Sequence, residues 1–187
     1  MRSLTTFRPA APASSLRYLV RTAVQCALIW PLFLAILPAA VLIVEERTGL
    51  PRFGFPAQPF AAALLFAGFS ALNVATGGVL AVRGRGTPLP LDAPAELVVS
   101  GPYAYVRNPM AVAGLGQGAA VAVWLGSWLV LTYVLAGAAL WQLLLRPVEE
   151  EDLARRFGAA YADYRRAVSC WWPRLSPYRP GPNAGSG

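Results

Sequence analysis

The sequence has no histidine and no lysine, and sets nine acidic residues against sixteen arginines in 187 positions. Without histidine there is no imidazole general base, no imidazole metal ligand and no Ser-His-Asp scheme. Cysteine is scarce as well. Cys26 and Cys170 are too few and too far apart for a disulfide framework or a thiolate metal site. Charge of either sign is thin, at 13% of residues, whereas 56% are hydrophobic. One soluble core cannot hide that much apolar surface, so the composition indicates an integral membrane protein. The formal net charge of +7 is read as an orientation signal and an attraction to anionic headgroups rather than as a nucleic-acid footprint.

Long apolar runs are what the chain does have. The run 25–44 is long enough to cross ~30 Å of hydrocarbon as a helix, with Pro31 and Pro38 as tolerated kinks. A cleaved leader is the alternative for this run, Ala39-Ala40 standing where a cleavage site would, but leader cores are shorter. Further spans are expected at 60–82, 110–125 and 128–145. Only Gly126 and Ser127 separate the last two, which predicts a tight helical hairpin with Trp124 and Trp128 at the interface. Only Arg47 and Arg52 lie between the first two spans; the other fourteen of the sixteen arginines lie on the opposite side in sequence order. The positive-inside rule then puts both termini in the cytoplasm, in the cell (inner) membrane. The expected fold is all-α, a bundle of four transmembrane helices followed by an amphipathic cytoplasmic helix. Residues 1–175 form one domain, and 176–187, rich in Pro, Gly and Ser, are expected as a disordered tail.

Two polar segments remain on the cytoplasmic side, 83–109 and 146–175. The first has prolines at 88, 90, 94, 102 and 109, too closely spaced for a helix. Pro109 suits the first turn of the third helix and Asn108 its cap. The open N–H groups there can hold an anion, with Arg107 adding charge; a plain capped helix with an arginine on lipid phosphate is the alternative. In the second segment Leu153, Phe157, Tyr161, Tyr164 and Val168 recur at helical spacing. An interfacial helix accounts for most of it. It does not account for Glu149 and Glu150, carboxylates at the end of a span, where acidic groups tend to face a bundle interior or a wet cavity. They are candidate ligands for a cationic or hydroxyl-bearing molecule.

These elements, in order, resemble the isoprenylcysteine carboxyl methyltransferase and phospholipid N-methyltransferase family. The resemblance covers 94–174: GPYAYVRNPM before the hairpin, then Glu149-Glu150, Leu153, Phe157-Gly158, Tyr161, Tyr164 and Trp172-Pro173-Arg174. Two positions depart from the pattern. Asn108 stands where many members have histidine, and Ala111 where a tyrosine is usual, with Gly114 one place late. The resemblance implies S-adenosylmethionine as cofactor, bound by Tyr105, Arg107, Asn108, Pro109, Glu149 and Glu150. Arg107 and Glu150 would be the catalytic pair, and Tyr161, Tyr164 and Arg165 would close on the acceptor. The implied reaction is methyl transfer to a carboxylate or amine of a lipophilic, membrane-embedded acceptor, without metal and without nucleic acid. In-line displacement at a sulfonium disperses positive charge, so a dry site favours it and no histidine is needed. Two rivals stay open: an NADPH-dependent membrane reductase of the steroid-reductase type, and a silent scaffold of the same fold.

Overall fold

The computed structural model describes residues 10–87 and 93–180; prolines 88 and 90, and the end of the expected tail, lie outside them. Among the described residues the chain is helical, without a strand. Helix α1 runs Ser15–Thr48, α2 Gln58–Arg83, α3 Pro109–Leu125 and α4 Trp128–Ala167. Three of them, α1, α2 and α4, are long and apolar enough to cross a bilayer. The shorter α3 is apolar throughout but has 17 residues, ~25 Å of rise against ~30 Å of hydrocarbon.

Helix α1 starts well before the apolar run. The Ser14 hydroxyl accepts from the Arg17 amide (3.4 Å), and the left-handed Gly49 (φ 67°) ends the helix. Pro31 is followed by a π-turn, and at Pro38 and Pro147 the turn ahead widens. A π-turn at Leu32–Ile36 precedes Pro38, and another at Trp141–Leu145 precedes Pro147. A proline ring collides with the carbonyl four residues back, and the looser i→i+5 turn moves that carbonyl aside. The expected boundary at 145 is a π-turn and not a gap: α4 runs on through Pro147, and a kink at Gly158 (φ 50°, ψ −124°) joins its two helical pieces.

Small residues set the packing. A Cβ on Gly114 would lie 2.5 Å from the Trp30 ring, and one on Gly116 2.4 Å from Phe69. These glycines let α1 and α2 approach α3 closely, as membrane helices need when no hydrophobic effect pulls them together. Inside this contact Asn73 Nδ2 donates to Gln117 Oε1 (3.1 Å), and Gln117 Nε2 to Ser70 Oγ (2.8 Å).

The two ends of the bundle differ. At one, Phe53 N donates to Gly126 O (2.8 Å) and its ring tilts onto Trp128 at 4.7 Å. Glu45 is fully buried there, accepting from the Ser127 hydroxyl at 2.9 Å. The other end gathers the start of α1, the end of α2, the start of α3 and the far part of α4. Ala10 N donates to Ala93 O (3.0 Å), and Tyr18 packs between Ala10 and Ala81. This second end carries the site.

Candidate functional site

The GPYAYVRNPM stretch folds as a turn and a cap. Gly101 takes a left-handed φ of 61°, the short 3-10 turn Gly101–Ala104 follows, and the Asn108 side chain accepts from Ala111 N at 2.9 Å. Pro109 occupies the first turn of α3, where a missing N–H costs nothing. The chain beyond α4 then runs back along this stretch. Arg107 N donates to Ser169 O (2.9 Å), Arg174 N to Tyr105 O (2.9 Å) and Tyr178 N to Ala104 O (2.8 Å). The Tyr164 hydroxyl donates to Tyr103 O at 2.6 Å, and Tyr164 stacks at a tilt on Tyr178. So the two polar segments are stitched together through their backbones. Within the stretch expected as tail, Tyr178 is held by these contacts; residues 181–187 lie outside the described residues.

Between the stitched segments and α1 lies a cavity of about 430 Å³. Arg107, Asn108, Glu149, Glu150, Tyr161 and Tyr164 all line it. Glu150 is its electrostatic hub: its carboxylate meets Arg146 Nε at 2.8 Å, Arg107 Nη1 at 3.2 Å and Arg165 Nη2 at 3.3 Å. The hydrogen bond to Glu150 holds the Arg146 guanidinium above its ordinary range. Glu149, one residue earlier and beyond the apolar stretch of α4, has no arginine partner among the described residues. Its nearest hydrogen-bond donor is Asn108 Nδ2, at 3.4 Å. Burial, with the Glu150 and Asp152 charges adding, pushes its carboxyl up to about 7. Burial also lifts the Tyr161 hydroxyl to about 12 and raises those of Tyr103 and Tyr164.

Three of the expected residues sit elsewhere. Tyr105 does not line the cavity; its side chain is exposed and its backbone accepts from Arg174, while Tyr103 faces the cavity instead. Tyr103 lies within the 3-10 turn and Tyr105 just past its end, so the two side chains leave in different directions. Pro109 is buried beneath the α3 terminus. Arg165 reaches Glu150 from a half-exposed position outside the cavity wall. Sequence reasoning missed the contribution of α1, whose Gln25, Cys26 and Trp30 form one wall, and missed Trp141, Arg146 and Cys170. Trp141 meets Trp171 edge-on at 5.1 Å, and Trp171 Nε1 donates to Gln142 Oε1 at 2.7 Å.

The cavity also leaves polar atoms unanswered. Arg107, whose side chain is only 8% exposed, has Nε and Nη1 without a hydrogen-bond partner; Nη1 touches Glu150 as an ion pair alone. Gln25 Oε1 on the opposite wall is likewise without one. Buried donors and acceptors are normally satisfied, so such a set fits a polar ligand. No group of three or more His, Cys, Asp or Glu side chains able to hold a metal ion occurs among the described residues.

Neither a curated protein nor a solved structure matches the chain. A family model described as phospholipid methyltransferase matches residues 57–160. That range is more than half of the chain and takes in α2, the GPYAYVRNPM turn, the hairpin and both Glu149 and Glu150. A helical membrane chain with this turn and this carboxylate pair around one cavity belongs to the phospholipid methyltransferase family.

Proposed function

We propose that this protein transfers a methyl group from S-adenosylmethionine to a carboxylate or amine of a lipophilic acceptor drawn from the bilayer. The observation that carries this reading is the cavity shared by Arg107, Asn108, Glu149 and Glu150. Its volume, about 430 Å³, lies in the usual range for small-molecule sites. Bound there, S-adenosylmethionine would supply a methyl group on positively charged sulfur. The free Nε of Arg107 suits the cofactor's carboxylate, and the acidic pair suits its ribose hydroxyls or ammonium. Apolar walls from Trp30, Trp141 and Leu97 keep water out, and a dry site favours a transition state in which charge disperses. Tyr161 and Tyr164 close the cavity from the last part of α4, with Arg165 behind them on Glu150.

In this reading the chain makes four crossings, α3 being the shortest, and 1–175 act as one domain with the cofactor part at 94–174. The cavity faces the cytoplasm, as do both termini. Support comes from fourteen of sixteen arginines lying on the cavity's side in sequence order, which by the positive-inside rule points to an inner-membrane protein with that side inward. Family membership favours methyl transfer over an NADPH-dependent reductase or a silent scaffold. Calorimetry on the purified, detergent-solubilised protein separates the three. S-adenosylmethionine should bind and NADPH should not; binding of NADPH alone, or of neither, sinks the reading.

A further inference from the structure

We infer that the turn after α4, residues 171–175, docks on an anionic bilayer surface, and that this docking holds the cavity in its stitched form. The docking stands on the fold alone. Its coupling to the cofactor rests on the methyl-transfer reading above.

The chain leaves the apolar stretch of α4 at Arg146, bends at Gly158 and comes back. Trp171 marks the return. Its Nε1 donates to Gln142 Oε1 at 2.7 Å, and its ring meets Trp141 edge-on at 5.1 Å. Both partners lie in the π-turn that ends the apolar run, beside Leu143, Leu144 and Leu145, each more than half exposed. With these leucines facing lipid, the 171–175 turn lies at the boundary between hydrocarbon and headgroups, where indole rings concentrate. The next ring, Trp172, is 80% exposed, and Leu175 is wholly so. Neither is loosely held. Ser169 Oγ accepts from Trp172 N at 3.0 Å and donates to Trp172 O, and Arg174 Nη1 donates to Ala167 O at 2.9 Å. Large apolar side chains presented on a hydrogen-bonded turn mark a surface that meets a partner.

Charge identifies that partner. Asp163 is the last acidic residue of the chain; Arg165, Arg166, Arg174 and Arg179 follow it. Arg166 pairs with Asp163 and Arg165 with Glu150, whereas Arg179 is exposed and enters no ion pair among the described residues. A second copy would bring the same arginines against these. An anionic leaflet answers both features, taking Trp172 and Leu175 among its headgroups and the guanidinium groups onto its phosphates.

The turn is also bolted to the site. Arg107 N donates to Ser169 O, Arg174 N to Tyr105 O and Tyr178 N to Ala104 O. The segment that carries Trp172 and Leu175 therefore runs beside the one that carries Arg107. Cys170, just ahead of it, lines the cavity, as does Trp141. A surface that grips 171–175 stabilises this arrangement, and by linkage the ligand that needs the arrangement binds more tightly.

The test uses the full chain in nanodiscs of phosphatidylcholine, with or without about one-third phosphatidylglycerol. Lipids brominated high on their acyl chains quench indoles at the interface. Wild type should lose more emission than Trp172→Phe, and the difference should grow with phosphatidylglycerol. Calorimetry should show S-adenosylhomocysteine bound about fivefold more tightly in the anionic discs, the gain from one arginine brought to the surface. The double variant Trp172→Ala, Leu175→Ser should lose that gain while melting with wild type in detergent. Arg179→Gln should keep the quenching and lose most of the response to phosphatidylglycerol. Equal quenching of wild type and Trp172→Phe overturns the docking. So does a dimer, seen by light scattering, that Trp172→Ala dissolves, because the face would then belong to a second copy. Equal affinity in both discs, or a gain that survives in the double variant, overturns the coupling. Binding in neither disc removes the methyl-transfer reading and the coupling with it, while the quenching still decides the docking.

Discussion

Arg107 Nη1 stands 3.2 Å from Glu150 Oε1, although the whole α3–α4 hairpin separates the two residues along the chain. The contact is one of three on the same carboxylate, so its two partners are not equivalent. Arg107→Ala leaves Glu150 with Arg146 and Arg165. Glu150→Gln leaves three guanidinium groups crowded around a neutral amide. Removing one member of a buried ion cluster costs most when it strands like charges. Glu150→Gln should therefore lower the melting temperature more than Arg107→Ala, while both weaken S-adenosylhomocysteine binding about tenfold or more. Thermal unfolding and calorimetry in detergent check this; wild-type affinity in both variants would remove the pair from the site.

Glu149 links the site to pH. Its folded carboxyl is raised to about 7 from an ordinary value of 4.5. A raised acid favours the folded state only while protonated. As pH rises from about 4.5 the unfolded chain releases this proton first, so stability falls through the window up to about 7 and the full cost stays above it. That cost is on the order of 3–4 kcal/mol, from ~1.4 kcal/mol per pH unit. Glu149→Gln should match wild type near pH 4.5 and melt higher than wild type at pH 8 without ligand. Equal melting at both pH values would show that the carboxyl is not raised.

How much of this was legible beforehand depended on whether a residue's signal was local. The Asn108 cap, the Pro109 start and the Gly126-Ser127 turn are governed by backbone chemistry within a few residues, and each stands where the sequence puts it. The end of an apolar run marked Glu149 and Glu150 as needing a polar partner, but that Arg107 would meet Glu150 followed only from the family resemblance. The first helix was not read as part of the cavity. An apolar helix in a membrane has no polar face to mark its buried side, and the approach of Trp30 is decided by the missing side chain of Gly114, far along the chain. The fourth span was expected to end at 145, yet the π-turn at Trp141–Leu145 lets the helix run on through Pro147. Which tyrosine of the turn faces inward, Tyr103 and not Tyr105, is set by local backbone geometry that sequence pattern does not show.

Gly158 is the hinge that brings the last tyrosines to the cavity. Its φ of 50° with ψ of −124° is a conformation that residues with a Cβ avoid, although no atom lies within 4 Å of where that Cβ would be. The penalty for Gly158→Ala is therefore backbone strain alone, about 1–3 kcal/mol. The chain can relieve it by straightening α4, which would carry Tyr161 and Tyr164 off the cavity. Lower melting temperature together with weaker S-adenosylhomocysteine binding is expected. Unchanged values of both would mean the bend carries no role.

Orientation has its own test. Ser176 is exposed at the cavity end, and Arg47 is exposed near the opposite end of α1. Single cysteines placed there, Ser176→Cys and Arg47→Cys, should react with an impermeant maleimide from opposite sides: the first only after the cells are opened, the second in intact cells. The reverse pattern would put the cavity outside and defeat a cytoplasmic cofactor.

Glu45 offers a control at the far end of the bundle. Its Oε1 accepts from the Ser127 hydroxyl at 2.9 Å and from Leu129 N at 3.4 Å, while Oε2 lies 3.5 Å from Arg52 Nε. The carboxylate thus sits at the start of α4, where a negative charge answers the open N–H groups and the helix dipole, a contribution of about 1–2 kcal/mol when buried. Glu45→Gln keeps a hydrogen-bond acceptor but loses the charge; Glu45→Ala loses both and leaves Arg52 to pair with Glu46 alone, at 2.9 Å. Melting temperatures should fall in the order wild type, Glu45→Gln, Glu45→Ala. Affinity for S-adenosylhomocysteine should stay within about twofold, because the cavity takes no residue from this end. If Glu45→Ala weakened binding as much as Arg107→Ala, the two ends would be coupled through α4, and the separation of stability from binding drawn here would fail.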